Sequence, residues 1–474
     1  MKIPFLRPME SESINRKILR AALIVGFLTI LVKAGSTVKE LIVAQSFGRG
    51  DALDAFLIAF LLPSFVVNLV MGSLGAALIP TFVETRQNQG NEAAQKLFSS
   101  MMLLSLLVLA TMAILLGSFA PYYLPYLGSG FSTEKLRLTG ELLYTLLPFV
   151  LFSGIATCAS SVMNAGEKFA LPSLTPLMTP LIVILFIELG ATNWGAFSLA
   201  GGIVAGSFLE AVLLSCALKA QGLQLTLRWN GLDPKLRSVL GQYAPMLAGA
   251  FLMGGTSVVD QSMAAMLPKG SVAALGYASK IVTAITSVGG MALSTAVLPY
   301  YSRMVARNDW NGFRNTLKRY FVLVFTITIP ITLGLMLLAK PLIRLLFQRG
   351  AFTSADTQLV SWVQVCYSIQ IPFYVGGFLF VRFISSIKRN DVLMYGAGIN
   401  LILDIVLNLL LMRVWGVAGI ALSTSLVYAV SFTFLGAYSI KLLAQRQSSA
   451  LSAVQEQGVT VLGNPTFGPA PDHD

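Results

Sequence analysis

Histidine and cysteine are nearly absent from this chain. Its 474 residues include one histidine, His473, and three cysteines, Cys158, Cys216 and Cys366, each alone within an apolar stretch. Imidazole catalysis, HExxH zinc chemistry, haem ligation and a disulfide framework all need more than this. Charge is scarce as well: Asp, Glu, Lys and Arg make up 11% of residues, against roughly 25% in soluble globular proteins. No P-loop, dinucleotide fingerprint or nucleophile elbow occurs, so neither an enzyme nor transport driven by ATP on this chain is expected. What abounds is apolar: 55% of residues are hydrophobic, and the mean hydropathy is +0.75. A hydrocarbon layer about 30 Å thick takes about 20 apolar residues per helical crossing, which leaves room for roughly a dozen crossings. The sequence therefore predicts an all-α polytopic membrane protein.

Twelve apolar segments follow the charged N-terminus, at about 21–48, 52–83, 97–124, 138–164, 170–191, 195–219, 238–267, 271–302, 318–347, 358–387, 391–413 and 416–441. The first is read as an uncleaved span, because no short apolar core with a small-residue cleavage site precedes it. Past Arg446 the chain is rich in Gln, Ser, Gly and Pro and reads as a disordered tail. With the N-terminus in the cytoplasm, 21 lysines and arginines fall on the cytoplasmic side and 8 on the other. That bias predicts both termini inside, and it accounts for the net charge of +12 without nucleic acid. Four basic residues remain within spans: Lys33, Lys39, Lys280 and Arg382.

The two halves echo each other. Ile79-Pro80 and Leu298-Pro299 close the second and eighth spans 219 residues apart. Gly50-Asp51 and Gly270-Ser271 open those spans 220 apart, and Trp194-Gly195 and Trp415-Gly416 open the sixth and twelfth 221 apart. A repeat of six spans is even, so both copies keep one orientation; parallel repeats of this kind are a transporter architecture with the substrate near the midplane. The expected organisation is a cytoplasmic segment 1–20, a six-helix lobe 21–220, a linker 221–237, a second six-helix lobe 238–445 and a tail 446–474.

Two clusters could carry chemistry. Lys33, Lys39 and Glu40 lie in the first span and Lys280 in the eighth. A charge at the bilayer centre costs about 2.5–3.5 kcal/mol on insertion scales, so such residues face a wet cavity or a partner. Three lysines on one cavity would form an anion site suited to a diphosphate; the competing reading is that Lys39 and Lys280 snorkel to an interface. The second cluster is oxygen-rich. Asn400 and Asp404 sit at i and i+4 on one helix face, with Thr424 in the twelfth span and Asp260 in the seventh. Such oxygens suit a hard cation, but they could equally form a hydrogen-bonded cluster that glues the bundle. Asp54 opens the second span, either as an N-cap or, with Asp51 and Arg49, as part of a periplasmic gate.

The segments 345–353, 416–425, 54–63 and 270–299 together resemble the MurJ/MviN lipid II flippases of the MOP superfamily. Leu345-Leu346-Phe347-Gln348-Arg349-Gly350-Ala351-Phe352-Thr353 resembles their periplasmic LFxxGxFT signature, and Gly416 through Ser425 resembles their GxxGLALATS segment. Asp54-Ala55-Phe56 followed by Leu62-Pro63 is similar to their second span, and Gly270-Ser271 through Leu298-Pro299 to their seventh-to-eighth region. The resemblance implies a MOP-type transporter with two six-helix lobes around a central cavity, acting as a monomer in the bacterial cytoplasmic membrane. It would carry a polyprenyl-diphosphate-linked saccharide, lipid II above all, from the cytoplasmic to the periplasmic leaflet. It implies that Lys33, Lys39, Glu40, Asp54 and Lys280 serve the substrate. It also implies that Asp260, Asn400, Asp404 and Thr424 hold sodium as the coupling ion, with no other cofactor. The family carries arginines where Lys33, Lys39 and Lys280 stand; lysine keeps the charge but lacks the bidentate fork. Val67-Asn68 replaces its Arg-Arg pair, Gly72 its nearby glutamate, and twelve apolar segments are read here against its usual fourteen. These departures point to the alternative of a lipid-linked exopolysaccharide unit as cargo. A MATE-like cation–drug antiporter would favour an acidic or aromatic cavity, and a non-transporting scaffold would disperse its intramembrane charges.

Overall fold

The computed structural model describes residues 14–221, 228, 229, 231, 234–387 and 389–462. All regular structure among them is helical. The helices are α1 (Ile14–Phe47), α2 (Asp51–Leu127), α3 (Thr133–Ala165), α4 (Ala170–Leu174), α5 (Met178–Trp194), α6 (Phe197–Ala220) and α7 (Pro234–Ala265). They continue as α8 (Ser271–Ala306), α9 (Trp310–Leu337), α10 (Ala339–Phe347), α11 (Ser354–Ser368), α12 (Gln370–Ser386), α13 (Asn390–Trp415) and α14 (Val417–Leu462). Each of the twelve apolar segments lies on helix. The second and third share α2, which breaks where Gly90 adopts φ +87°. Among the described residues, nine helices are long and apolar enough to cross a membrane.

The chain divides by contact into two units. The first joins Met1–Tyr277 to Lys340–Ser361, and the second joins Ala278–Ala339 to Trp362–Asp474. Within the first unit α7 packs on α2. Much of the expected linker, 222–227, 230, 232 and 233, lies outside the described residues, as does the N-terminal segment through residue 13. Helix α14 runs on to Leu462, because Ala, Leu, Gln and Glu between 446 and 456 are good helix formers; residues 463–474 lie outside the described set.

In the first unit α2, α3, α6 and α7 enclose a core that includes Phe82, Phe98, Met101, Leu109, Val150 and Leu214. Small residues let α5 and α6 touch closely: a Cβ at Gly202 or Gly206 would meet the backbone of Val183 or Thr179. That is how membrane helices associate where the solvent is as apolar as the core. In the second unit α12 packs against α9, α13 and α14. Tyr301, Phe313 and Phe383 form a buried aromatic stack with successive centroids 4.5 Å apart. The outer faces of α9 and α13 stay apolar and exposed, as Ile327, Leu333 and Leu337 and then Ile402, Val406 and Leu410 show. The repeat read from the sequence has a structural echo. Gly195 ends α5 at φ 50°, ψ −130°, and Gly416 ends α13 at φ 57°, ψ −132°. Each glycine donates its N–H to the carbonyl four residues back, Ala191 and Met412 respectively.

Candidate functional site

Helix α1 carries the basic pair of the first unit. Lys33 is exposed, and among the described residues its ammonium has no ion-pair partner. Lys39 lies about 9 Å further along at 1.5 Å per residue, half-buried, with its Nζ 2.8 Å from Glu40 Oε1. Between them Thr37 donates its hydroxyl to the Lys33 carbonyl at 2.9 Å, a back-bond that commonly bends helices. Glu40 thus lowers the net charge at Lys39 and leaves Lys33 as the stronger anion-attracting group. Lys280 belongs to the second unit, where it is exposed on α8.

At the C-terminal end of α1 the first unit builds a clasp whose partners were not legible beforehand. Asp54, only 1% exposed, accepts from the Gly270 N–H at 2.7 Å, the Ala273 N–H at 2.8 Å and Lys135 Nζ at 3.0 Å. It therefore caps the N-terminus of α8 from another helix, where the helix dipole and the open N–H groups favour a carboxylate. Lys135 is itself buried, reaches Asp51 at 2.9 Å and lies 3.9 Å from the Phe131 ring centroid. Asp51 also binds Lys269 at 2.7 Å, which holds that ammonium above the ordinary lysine range. Arg49 Nε donates to Asp356 at 2.8 Å. Asp356 in turn accepts the Thr353 N–H and hydroxyl, a reciprocal cap at the start of α11. Gly270 sits at φ +79°, and a Cβ there would meet the Arg49 carbonyl.

The clasp changes the reading of two sequence features. Asp54, assigned to the substrate by the family resemblance, has its oxygens buried here against α8 and Lys135. The Leu345–Thr353 signature is a plug on α1: the Ala351 N–H donates to the Gln45 carbonyl at 2.8 Å. Phe347 and Phe352, both buried, pack on Tyr277 at 5.2 and 5.5 Å. The Tyr277 hydroxyl donates to the Gly48 carbonyl at 3.2 Å.

The oxygen-rich residues are distributed over both units. Asp260, buried on α7, is in the first. In the second, α13 carries Asn400 and buried Asp404 one turn apart. Asn400 Nδ2 donates to Ser431 Oγ on α14 at 3.1 Å, and Ser423 Oγ donates to the Asp404 carbonyl at 3.4 Å. The Thr424 hydroxyl donates to the Ile420 carbonyl at 3.1 Å. Among the described residues no group of three or more His, Cys, Asp or Glu is placed to hold a metal ion.

The family model described as "Lipid II flippase MurJ" matches residues 43–462. The chain belongs to that family. The "Probable lipid II flippase MurJ" of Vibrio cholerae serotype O1 is 26% identical over 431 residues, 88% of this chain and 82% of its own length. That of Bdellovibrio bacteriovorus is 27% identical over 419 residues, 86% and 79% of the two chains. Among solved structures, a lipid II flippase MurJ in an inward closed conformation aligns with a TM-score of 0.76 at 25% identity, covering 94% of each chain. An inward-facing MATE-family multidrug resistance transporter of the MOP superfamily aligns with a TM-score of 0.72 at 12% identity, covering 90% of this chain and 99% of its own. That second likeness shows the fold alone. The family is one of transporters, not enzymes, and the all-helical MOP-type fold expected from the sequence holds.

Proposed function

We propose that this protein is a lipid II flippase of the bacterial cytoplasmic membrane, moving a polyprenyl-diphosphate-linked saccharide from the cytoplasmic to the periplasmic leaflet. The observation that carries this reading is the family match over residues 43–462, joined by relatives of that name along most of their length. The protein acts as a monomer among membrane lipids, with both termini cytoplasmic. Lys33, Lys39 and Lys280 hold the diphosphate, and Glu40 sets the charge at Lys39. An exposed ammonium in a membrane helix is stable only beside water or an anion, and a diphosphate supplies that anion. Asp54 acts through the clasp rather than by touching cargo.

Coupling in this reading is to sodium, held by Asp260, Asn400, Asp404 and Thr424, and transport proceeds by alternating access. A bound cation offsets the charge of a buried carboxylate, and it shifts the transporter between facings only through different affinities for them. The departures from the family pattern taken together, lysines at 33, 39 and 280, Val67-Asn68 and Gly72, support one second reading, a lipid-linked exopolysaccharide unit as cargo. Reconstitution in proteoliposomes tests the proposal. Lipid II should cross, Lys33→Ala should abolish crossing, and movement of an exopolysaccharide carrier but not lipid II would overturn the primary reading in favour of the second.

A further inference from the structure

The second unit holds a basic groove that the flippase reading does not use. It has a volume of about 610 Å³ and lies where the end of α8 meets the start of α9. Arg303 and Arg307, one turn apart on and just past α8, and Arg319 on α9 supply three guanidiniums. Among the described residues none of the three has an ion-pair partner. The one acid on the groove is Asp309, and its Oδ1 accepts the Gly312 N–H at 2.8 Å as the cap of α9. The groove therefore keeps an excess of positive charge. Arg303 lies 5.4 Å from the Tyr300 ring centroid, which holds its planar head over an aromatic face. Arg446, on α14, lies 5.9 Å from the Trp310 ring and adds a fourth cation at this end of the unit.

The lining is graded along its length. On α9, Arg319, Tyr320 and exposed Leu323 follow one another away from the α8–α9 connection toward the apolar part of the helix, and on α8 Tyr300 lies about one turn further from that connection than Arg303 and Met304. Guanidiniums, then tyrosines, then aliphatic side chains follow the order of headgroup, interface and acyl chain in a bilayer leaflet. The positive-inside bias puts this end at the cytoplasmic surface, where anionic lipids collect and basic pockets between helices hold their headgroups. We propose that the groove binds the phosphate of an anionic glycerophospholipid, with Arg303, Arg307 and Arg319 on the phosphate oxygens and Leu323 against the first part of an acyl chain. The same phosphate chemistry is offered by the diphosphate of a polyprenyl carrier and by free phosphate. The apolar end of the groove favours a ligand with a tail, and the short α8–α9 connection favours a resident lipid of that leaflet.

The test uses the purified full chain in neutral detergent with fluorescent phosphatidylglycerol as probe. Unlabelled phosphatidylglycerol should displace it, while phosphatidylcholine should not. Replacing all three, Arg303→Gln with Arg307→Gln and Arg319→Gln, should weaken binding at least tenfold, and Arg319→Gln alone about fivefold. Arg413→Gln, an exposed cation at the end of α13, should stay within twofold of the unaltered chain. The single variant decides the matter if the triple variant fails to elute as one species. Unchanged binding in these variants would overturn the proposal, as would an equal loss in Arg413→Gln. Displacement by inorganic phosphate or by undecaprenyl diphosphate as effective as by phosphatidylglycerol would reassign the groove to those anions. Binding is read without transport, so a chain that fails to move lipid II still answers the question.

Discussion

Neutralising Asp54 should loosen the first unit more than any surface charge change. Asp54→Asn keeps one carbonyl oxygen for a backbone N–H but leaves the buried Lys135 ammonium with Asp51 alone. Removing one partner of a buried ion pair costs about 3–5 kcal/mol. Asp51 is 45% exposed and still neutralises part of the charge, so the expected loss lies near the lower bound, about 3 kcal/mol. Lys135→Met leaves Asp54 its two N–H donors at the α8 N-terminus, where the dipole acts as roughly half a positive charge. Its loss should be smaller, about 2 kcal/mol. Both substitutions together remove one interaction only once, so the double variant should lose about 3 kcal/mol, a coupling of about 2 kcal/mol. Arg137→Gln supplies the comparison, because its pair with Glu141 is exposed and spaced i,i+4; such pairs contribute about 0.3–0.5 kcal/mol. Unfolding by dodecyl sulfate titration in mixed micelles, read by tryptophan fluorescence, gives all four values. Strict additivity of Asp54→Asn and Lys135→Met, or a loss in Asp54→Asn no larger than in Arg137→Gln, would refute the argument.

The remaining predictions concern cargo, ion and backbone. Lys33→Ala and Lys280→Ala should fail to complement loss of the resident flippase while expressing and inserting normally, and Lys33→Arg should complement; full complementation by both alanine variants removes the anion-site assignment. Sodium, but not equimolar potassium, should raise the Tm of the unaltered protein, and Asp404→Ala should erase the difference; no sodium-specific shift in the unaltered protein leaves a plain hydrogen-bond cluster. Gly270→Ala should lower stability by at least about 1–2 kcal/mol, the usual penalty for a left-handed residue with a Cβ, since its φ is +79° and the Arg49 carbonyl is close. A melting curve matching the unaltered chain would contradict that. Phe352→Ala removes a ring 1% exposed and should cost about 3–5 kcal/mol, measured by the same titration.

The all-helical membrane character and the placing of the apolar segments on helix were legible in the chain itself, because a bilayer satisfies no backbone group and therefore demands long apolar helices; how those segments join or break, as where the second and third share α2, was not. The repeat was legible too, since Trp-Gly recurs 221 residues on and both glycines adopt the same left-handed turn. Asn400 and Asp404 could be put on one helix face by counting alone. Spacing could not show that Asn400 pairs with Ser431. Nor could it show that Asp54 serves α8, because its partners lie 81, 216 and 219 residues away. Arg49 and Asp356 are 307 apart. Local periodicity reports which face of a helix is apolar, but a charge buried at a helix end takes its partner from whichever element folding brings within about 3 Å. The tertiary structure alone made that choice, setting Asp54 as a cap on α8 and the Leu345–Thr353 signature against the end of α1.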